Sequence, residues 1–214
     1  MVSKRLSLKE KAYEFIKNKI ITCELMPGSD IEEDELALEL GISRTPVREA
    51  ILRLEQEKLV NIYPRKGSFV APITLNDIQE IFQIREIVEV QVAKIVCKSI
   101  SKEKLLYFKE QFDKMDEEGN LISYRDFFEL DLKFHKFIVT SNDNQYLIEF
   151  INKIYDKDYR IRVLTTSMFE EERKRNKKEH LDIINAFLEK NEEKVEKYLR
   201  EHIKNSKKGA LKIL

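Results

Sequence analysis

Apolar residues recur at helical spacing along most of the chain. Leu8, Ala12, Phe15, Ile16 and Ile20 share one face of a first helix, and Pro27-Gly28 breaks its exit. A short helix over about 31–40 turns Leu36 and Leu40 inward and stops at Gly41, placed to take the left-handed conformation. Val47, Ala50, Ile51 and Leu54 form the stripe of a third helix. Thr45 is expected as its N-cap, because a residue before proline avoids the helical region and Pro46 suits the first helical position. The period then shortens. Residues 59–63 and 68–71 read as two strands around Pro64, Arg65, Lys66 and Gly67, a hairpin with a basic tip.

Beyond residue 73 there is no further proline, and the pattern is almost unbroken helix. Six helices are expected, at roughly 75–99, 101–118, 123–140, 144–166, 170–189 and 191–207. Turn signals at Ser101, Gly119-Asn120, Asn142-Asp143-Asn144 and Lys190-Asn191 separate them. Thr74 and Asp77 are spaced as a capping box. The division therefore falls at 1–74 and 75–214. Helix, helix–Gly–helix and hairpin is the order of a winged helix-turn-helix, and the remainder reads as an all-helical bundle, so the fold class is mainly α.

Composition narrows the classes. Charged residues make up 36%, with five Gly, four Pro and no Trp, which favours helices over a sandwich, a barrel or a disordered chain. No apolar run approaches the roughly 18 residues of a spanning helix, and no charged-then-apolar leader opens the chain. Cys23 and Cys97 lie far apart with no C-x-x-C partner and read as reduced thiols. A cytoplasmic protein without membrane attachment is the expectation. Formal net charge is zero, which excludes binding to nucleic acid by bulk charge alone.

Charge is nevertheless segregated. Residues 24–39 hold seven acids and no base, whereas 42–70 hold six bases and three acids. Arg44 and Arg48 project from the start of the third helix, the end that enters a major groove, where an Arg–guanine pair discriminates by roughly 1–3 kcal/mol. Free N–H groups around Thr45 can hold a phosphate. Arg65 and Lys66 suit a phosphate or minor-groove contact, and Gly67 allows close backbone approach. The plainer alternative is that these charges only solvate a surface.

The segments Ile20–Gly28, Leu36–Ala50 and Gly67–Val70, with Ser43-Arg44-Thr45-Pro46-Val47-Arg48-Glu49 as the core, resemble the DNA-binding domain of GntR-family transcription regulators. The resemblance covers nearly all of 8–72. It implies DNA contacts by Arg44, Thr45 and Arg48, with Gly67 at the wing. Asp34 is a departure, since some members carry an operator-contacting Arg there.

The chain's three histidines all lie in the second half. Asp131 and His135 are i,i+4 on a helix whose buried side also carries Phe127, Phe128, Phe134 and Ile138. His180 lies in line with Ile184 and Phe187, and His202 with Val195, Tyr198 and Leu199. A histidine on an apolar stripe is commonly a hydrogen-bonded core residue. A buried carboxylate, though, costs several kcal/mol unless a cation or strong donors meet it. One divalent transition metal per chain answers all four residues, and zinc, nickel, manganese, iron or cobalt suits this ligand set.

Asp131 to His135, Glu179-His180 and Glu201-His202-Ile203 are similar to the ligand-sensing FCD domain of the FadR subfamily of GntR regulators, across about 77–207. That resemblance implies a metal on Asp131, His135, His180 and His202, taking part in binding a small carboxylate effector. Arg85 sits on the stripe of Ile78, Ile81, Val88 and Val92. It reads either as an i,i+4 partner of Glu89 or as a fork for the effector carboxylate, and the resemblance supports the fork. Asn144 matches a frequent family Asn, with a helix cap as its alternative.

The function expected is that of a regulator, not an enzyme. It would bind double-stranded DNA at a palindromic operator as a homodimer, with its affinity set by a small carboxylate. Two other readings stand beside it, a regulator answering to the metal alone and a metal-dependent hydrolase with a DNA module. Against the hydrolase, the helical half offers no general base at fixed spacing and no nucleophile motif.

Overall fold

In the computed structural model, which describes residues 6–116, 123–164 and 170–212, α1 (Leu8–Ile21) begins where the Ser7 hydroxyl accepts the Glu10 amide at 3.1 Å. Two units separate along the chain, Met1–Ile73 and Thr74–Leu214. Thr74 falls in the second because it caps that unit's first helix.

In the first unit, α2 (Glu33–Leu40) and α3 (Arg44–Gln56) follow α1, and β1 (Val60–Tyr63) pairs antiparallel with β2 (Gly67–Val70). Ala12, Ile16, Ile20, Leu36, Val47, Ala50, Ile51 and Leu54 close one core, with Val60 and Val70 beneath it. Phe15 and Leu40, expected inward, are only partly buried. Gly41 stops α2 at φ 64, ψ 35, as its position suggests. The second helix starts later than residue 31 because the Ile31 amide donates to Ser68 O at 2.8 Å, adding the 28–31 segment to the edge of β2.

The N-cap of α3 corrects an expectation. Ser43, not Thr45, carries the extended backbone of the cap, at φ −75 and ψ 166. Pro46 therefore sits third in the helix rather than first. Its missing N–H still costs nothing there, because the first-turn amides have no intrahelical acceptor.

The second unit holds α4 (Leu75–Val96), α5 (Lys102–Asp113) with a 3₁₀ turn (Lys114–Asp116), α6 (Tyr124–Thr140), α7 (Gln145–Leu164), α8 (Glu170–Leu188) and α9 (Glu192–Leu211). Thr74 and Asp77 form the reciprocal capping box on α4. The turn expected at Gly119-Asn120 lies outside the described residues. Phe108, Phe112, Phe127 and Phe134 pack edge-on between α5 and α6, and Phe112 lies flat on the His180 ring with centroids 4.5 Å apart. Cys23 and Cys97 are buried, and neither is in a disulfide. No helix among the described residues is long and apolar enough to cross a membrane.

Candidate metal centre and nucleic-acid interface

Three helices of the second unit deliver the four ligand-type residues to one point. Asp131 and His135 come from α6, His180 from α8 and His202 from α9, and all four are buried. One ligand atom from each lies within 4.8 Å of the others. Ligands around a single ion at about 2.0–2.2 Å stand roughly 3–4 Å apart, and Asp131 Oδ1 lies 2.9, 3.8 and 3.9 Å from the Nε2 atoms of His180, His135 and His202.

The outer partners orient the rings. His135 Nδ1 lies 2.6 Å from Glu89 Oε2, His202 Nδ1 2.8 Å from Glu179 Oε2, and His180 Nδ1 2.7 Å from the Asn176 carbonyl oxygen. A carbonyl only accepts, so the proton of His180 sits on Nδ1 and its Nε2 keeps a lone pair. That Nε2 faces Asp131 Oδ1 at 2.9 Å. Both atoms are buried without a hydrogen-bond partner. His135 Nε2 and His202 Nε2 stand 3.1 Å apart, each with a carboxylate on its other nitrogen. Acceptors converging on acceptors is the pattern a shared cation satisfies, and the residues fit a divalent metal.

Charge around the cluster agrees. Burial pushes the His180 and His202 pKa values down, His202 the further, so both rings are neutral near pH 7. Burial works to raise Asp131, but the Arg162 guanidinium and His135 outweigh it and hold the carboxyl well below its usual range. Glu89, also lifted by burial, is brought down to about 2 by Arg85 and His135.

These groups form a closed ring of contacts. Glu89 Oε1 accepts from Arg85 Nε at 2.7 Å, and Arg85 Nη1 donates to Asp158 Oδ2 at 2.9 Å. Asp158 Oδ2 also takes Arg162 Nε at 2.8 Å, while Arg162 Nη1 donates to Asp131 Oδ2 at 2.6 Å. His135 closes the ring back to Glu89. Three carboxylates against two guanidiniums leave an excess of negative charge beside the neutral His180 and His202, which again suits a cation.

Arg85 is fully buried, and it makes the i,i+4 pair with Glu89 as well as the bond to Asp158. Its Nε and Nη1 are thus held by protein carboxylates. Asn144 is exposed, and its carboxamide oxygen accepts the Leu147 amide at 3.1 Å, so it caps α7. Sequence reasoning missed Asp158, Arg162 and the orienting roles of Glu89 and Glu179. A signal existed for Asp158, which continues the inward stripe of Ile151, Ile154, Tyr155 and Ile161 along α7.

In the first unit, Arg44, Thr45 and Arg48 are exposed at the start of α3. Ser43 makes no side-chain cap bond, so the first-turn amides of α3 face outward unspent. At the hairpin tip Arg65 has φ 65 and Gly67 φ 111, both in the left-handed region, and the Lys66 amide donates to Tyr63 O at 3.0 Å. The turn holds its backbone tightly and leaves both basic side chains exposed.

Comparison with known proteins agrees with both halves. Residues 8–70 match the family described as bacterial regulatory proteins, gntR family, and residues 80–205 match the FCD domain. The HTH-type transcriptional repressor RspR of Escherichia coli K12 is 25% identical over 194 residues, covering 91% of this chain and 85% of that protein. The Nta operon transcriptional regulator of Aminobacter aminovorans is 27% identical over 188 residues, covering 88% and 87%. Among solved structures, E. coli McbR/YncC superposes with a TM-score of 0.80 at 20% identity, covering 97% of this chain and 99% of that one, which shows a shared fold. These relatives and families are regulators, not enzymes. The chain belongs to the GntR family of transcription regulators, in the group that carries an FCD domain.

Proposed function

We propose that this regulator binds a palindromic operator as a homodimer, with an affinity set by a small carboxylate held beside a divalent metal in the helical unit. The observation that carries the reading is the convergence of three histidine Nε2 atoms on Asp131 Oδ1, with each Nδ1 engaged from behind. Asp131, His135, His180 and His202 would hold one zinc, nickel, manganese or iron ion per chain. When bound, such an ion supplies positive charge and open positions for a carboxylate oxygen.

Arg85 is the proposed second contact, where the effector carboxylate takes the place of Asp158. That exchange would loosen the link between α4 and α7 and so bias the arrangement of the helical unit. Asn144 enters the proposal through the resemblance only. On the DNA side Arg44 and Arg48 read base edges, the amides around Thr45 hold a phosphate, and Arg65, Lys66 and Gly67 form the wing contact. Along α4, Ile84, Ile87, Val88 and Ile95 form an apolar stripe that is exposed or half-buried, and it supports pairing with a second copy. Such a regulator works in the cytoplasm.

A second reading, response to metal without an organic ligand, is favoured by the fact that protein carboxylates already occupy Arg85. Operator duplexes selected by the protein from a randomised pool separate the two. Titration with and without a chelator, then across a set of small mono- and dicarboxylates, should show an affinity change of roughly 5- to 150-fold that needs both metal and acid. A change with metal alone supports the second reading. An affinity indifferent to both contradicts the proposal.

A further inference from the structure

The two arginines at the reading end of α3 are already occupied by acids. Arg48 Nε donates to Glu33 Oε2 at 2.6 Å, and Arg44 Nε pairs with Asp34 Oδ1. Both acids lie in the first turn of α2. The pairs are at the surface, with the Arg44 and Asp34 side chains 58% and 61% exposed. Ion pairs in such a position are weak and exchange readily, each worth at most about a fivefold preference. A carboxylate and a phosphate offer the guanidinium the same kind of anionic oxygen.

We propose that Glu33 and Asp34 are specificity-determining competitors of DNA, holding Arg48 and Arg44 in the free protein so that phosphate contact alone gains little. The inference rests on Arg44 and Arg48 being the DNA-reading residues. On a non-cognate duplex the exchange replaces one anion by another. On the operator, base-edge bonds add to the exchange and tip it. The competitors therefore lower non-cognate affinity more than cognate affinity. The charge balance fits, since residues 1–76 carry twelve bases and twelve acids.

A salt signature follows. A phosphate neutralised by a free arginine releases condensed counterions, with a slope of about 0.9 per contact. An arginine that first releases a carboxylate gives up part of that gain, because the freed acid attracts a cation of its own.

The test uses the full chain on a mixed-sequence duplex of about 30 base pairs, with dissociation constants measured across a salt series. Glu33→Gln/Asp34→Asn should bind about tenfold tighter than wild type at low salt, with a slope steeper by up to about 2. Glu32→Gln/Glu35→Gln removes two neighbouring acids that make no described ion pair, and should bind much as wild type does. An equal gain in that control would mean general repulsion and would overturn the proposal. So would unchanged or weaker binding by Glu33→Gln/Asp34→Asn, the weaker result meaning that the acids position the arginines. Arg44→Ala/Arg48→Ala, measured on an operator duplex selected by the wild type, separates the premise from the proposal: if it binds that duplex like wild type, the reading of α3 itself fails. Thermal unfolding of each variant confirms that folded protein is compared.

Discussion

His180 Nε2 lies 2.9 Å from Asp131 Oδ1, and neither atom has a hydrogen-bond partner. The Asn176 carbonyl fixes the tautomer that creates this conflict. A protein core leaves two facing acceptors in contact only where something else reconciles them. A cation of the right size would do so for all four inward residues together.

The rings' outer partners should therefore matter to metal affinity without touching the metal. Glu179→Gln keeps all four ligands but weakens the hold on His202 Nδ1, and it should lower zinc affinity about 10- to 100-fold. Competition against a chromophoric chelator reads this directly. Unchanged affinity would mean that the ligand residues, not Glu179, set the ring's orientation.

Asp158 ties two guanidiniums together at the centre of the ring. Asp158→Asn leaves Arg85 and Arg162 buried with one carboxylate fewer, and breaking a buried pair costs about 3–5 kcal/mol. The melting temperature of the variant should fall by roughly 10 °C or more. A small change would show that water enters and resolvates the ring.

Acid should destabilise the metal-free protein. His180 and His202 are depressed below their ordinary values by burial, while Asp131 and Glu89 are held low by their cationic neighbours. A group with a depressed folded pKa stabilises fully above its ordinary value and loses that contribution as pH falls. The histidines thus act below about pH 6.5, and Glu89 acts between about 4.5 and 2. Glu179, raised by burial, opposes them in part of this window, as one group against the two histidines. Thermal unfolding after chelation should show a midpoint that declines steadily from pH 7 to 5. A flat midpoint over that window would contradict neutral buried histidines.

On the DNA side, Arg44→Ala should relax the preference for one base pair by about 5- to 150-fold, whereas Arg65→Ala/Lys66→Ala should weaken all sequences alike. Selection from randomised duplexes distinguishes the two patterns. Ile87→Asp/Ile95→Asp, on the exposed face of α4, should yield a monomer in sedimentation and lose tight binding to the palindrome.

How far the sequence reaches depends on the kind of signal. Helices with long apolar stripes were legible, and so were the capping box at Thr74 and the stop at Gly41, because each rests on local chemistry. The cap of α3 was misplaced by two residues, because the backbone restriction before Pro46 was weaker than the cap geometry of Ser43. Asp131, His135, His180 and His202 could be read as inward from periodicity alone. What periodicity cannot show is pairing across helices. Glu89 meeting His135 and Arg162 meeting Asp131 are contacts 46 and 31 residues apart, fixed only by packing.

Metal content of the purified chain, wild type beside His135→Ala and His180→Ala, tests the central claim most directly. Elemental analysis with native mass spectrometry should find about one divalent transition metal per wild-type chain and none in either variant. A wild type that stays metal-free after incubation with zinc, nickel and manganese would contradict the account. The three histidines would then be core residues, and the regulator's control would have to lie elsewhere.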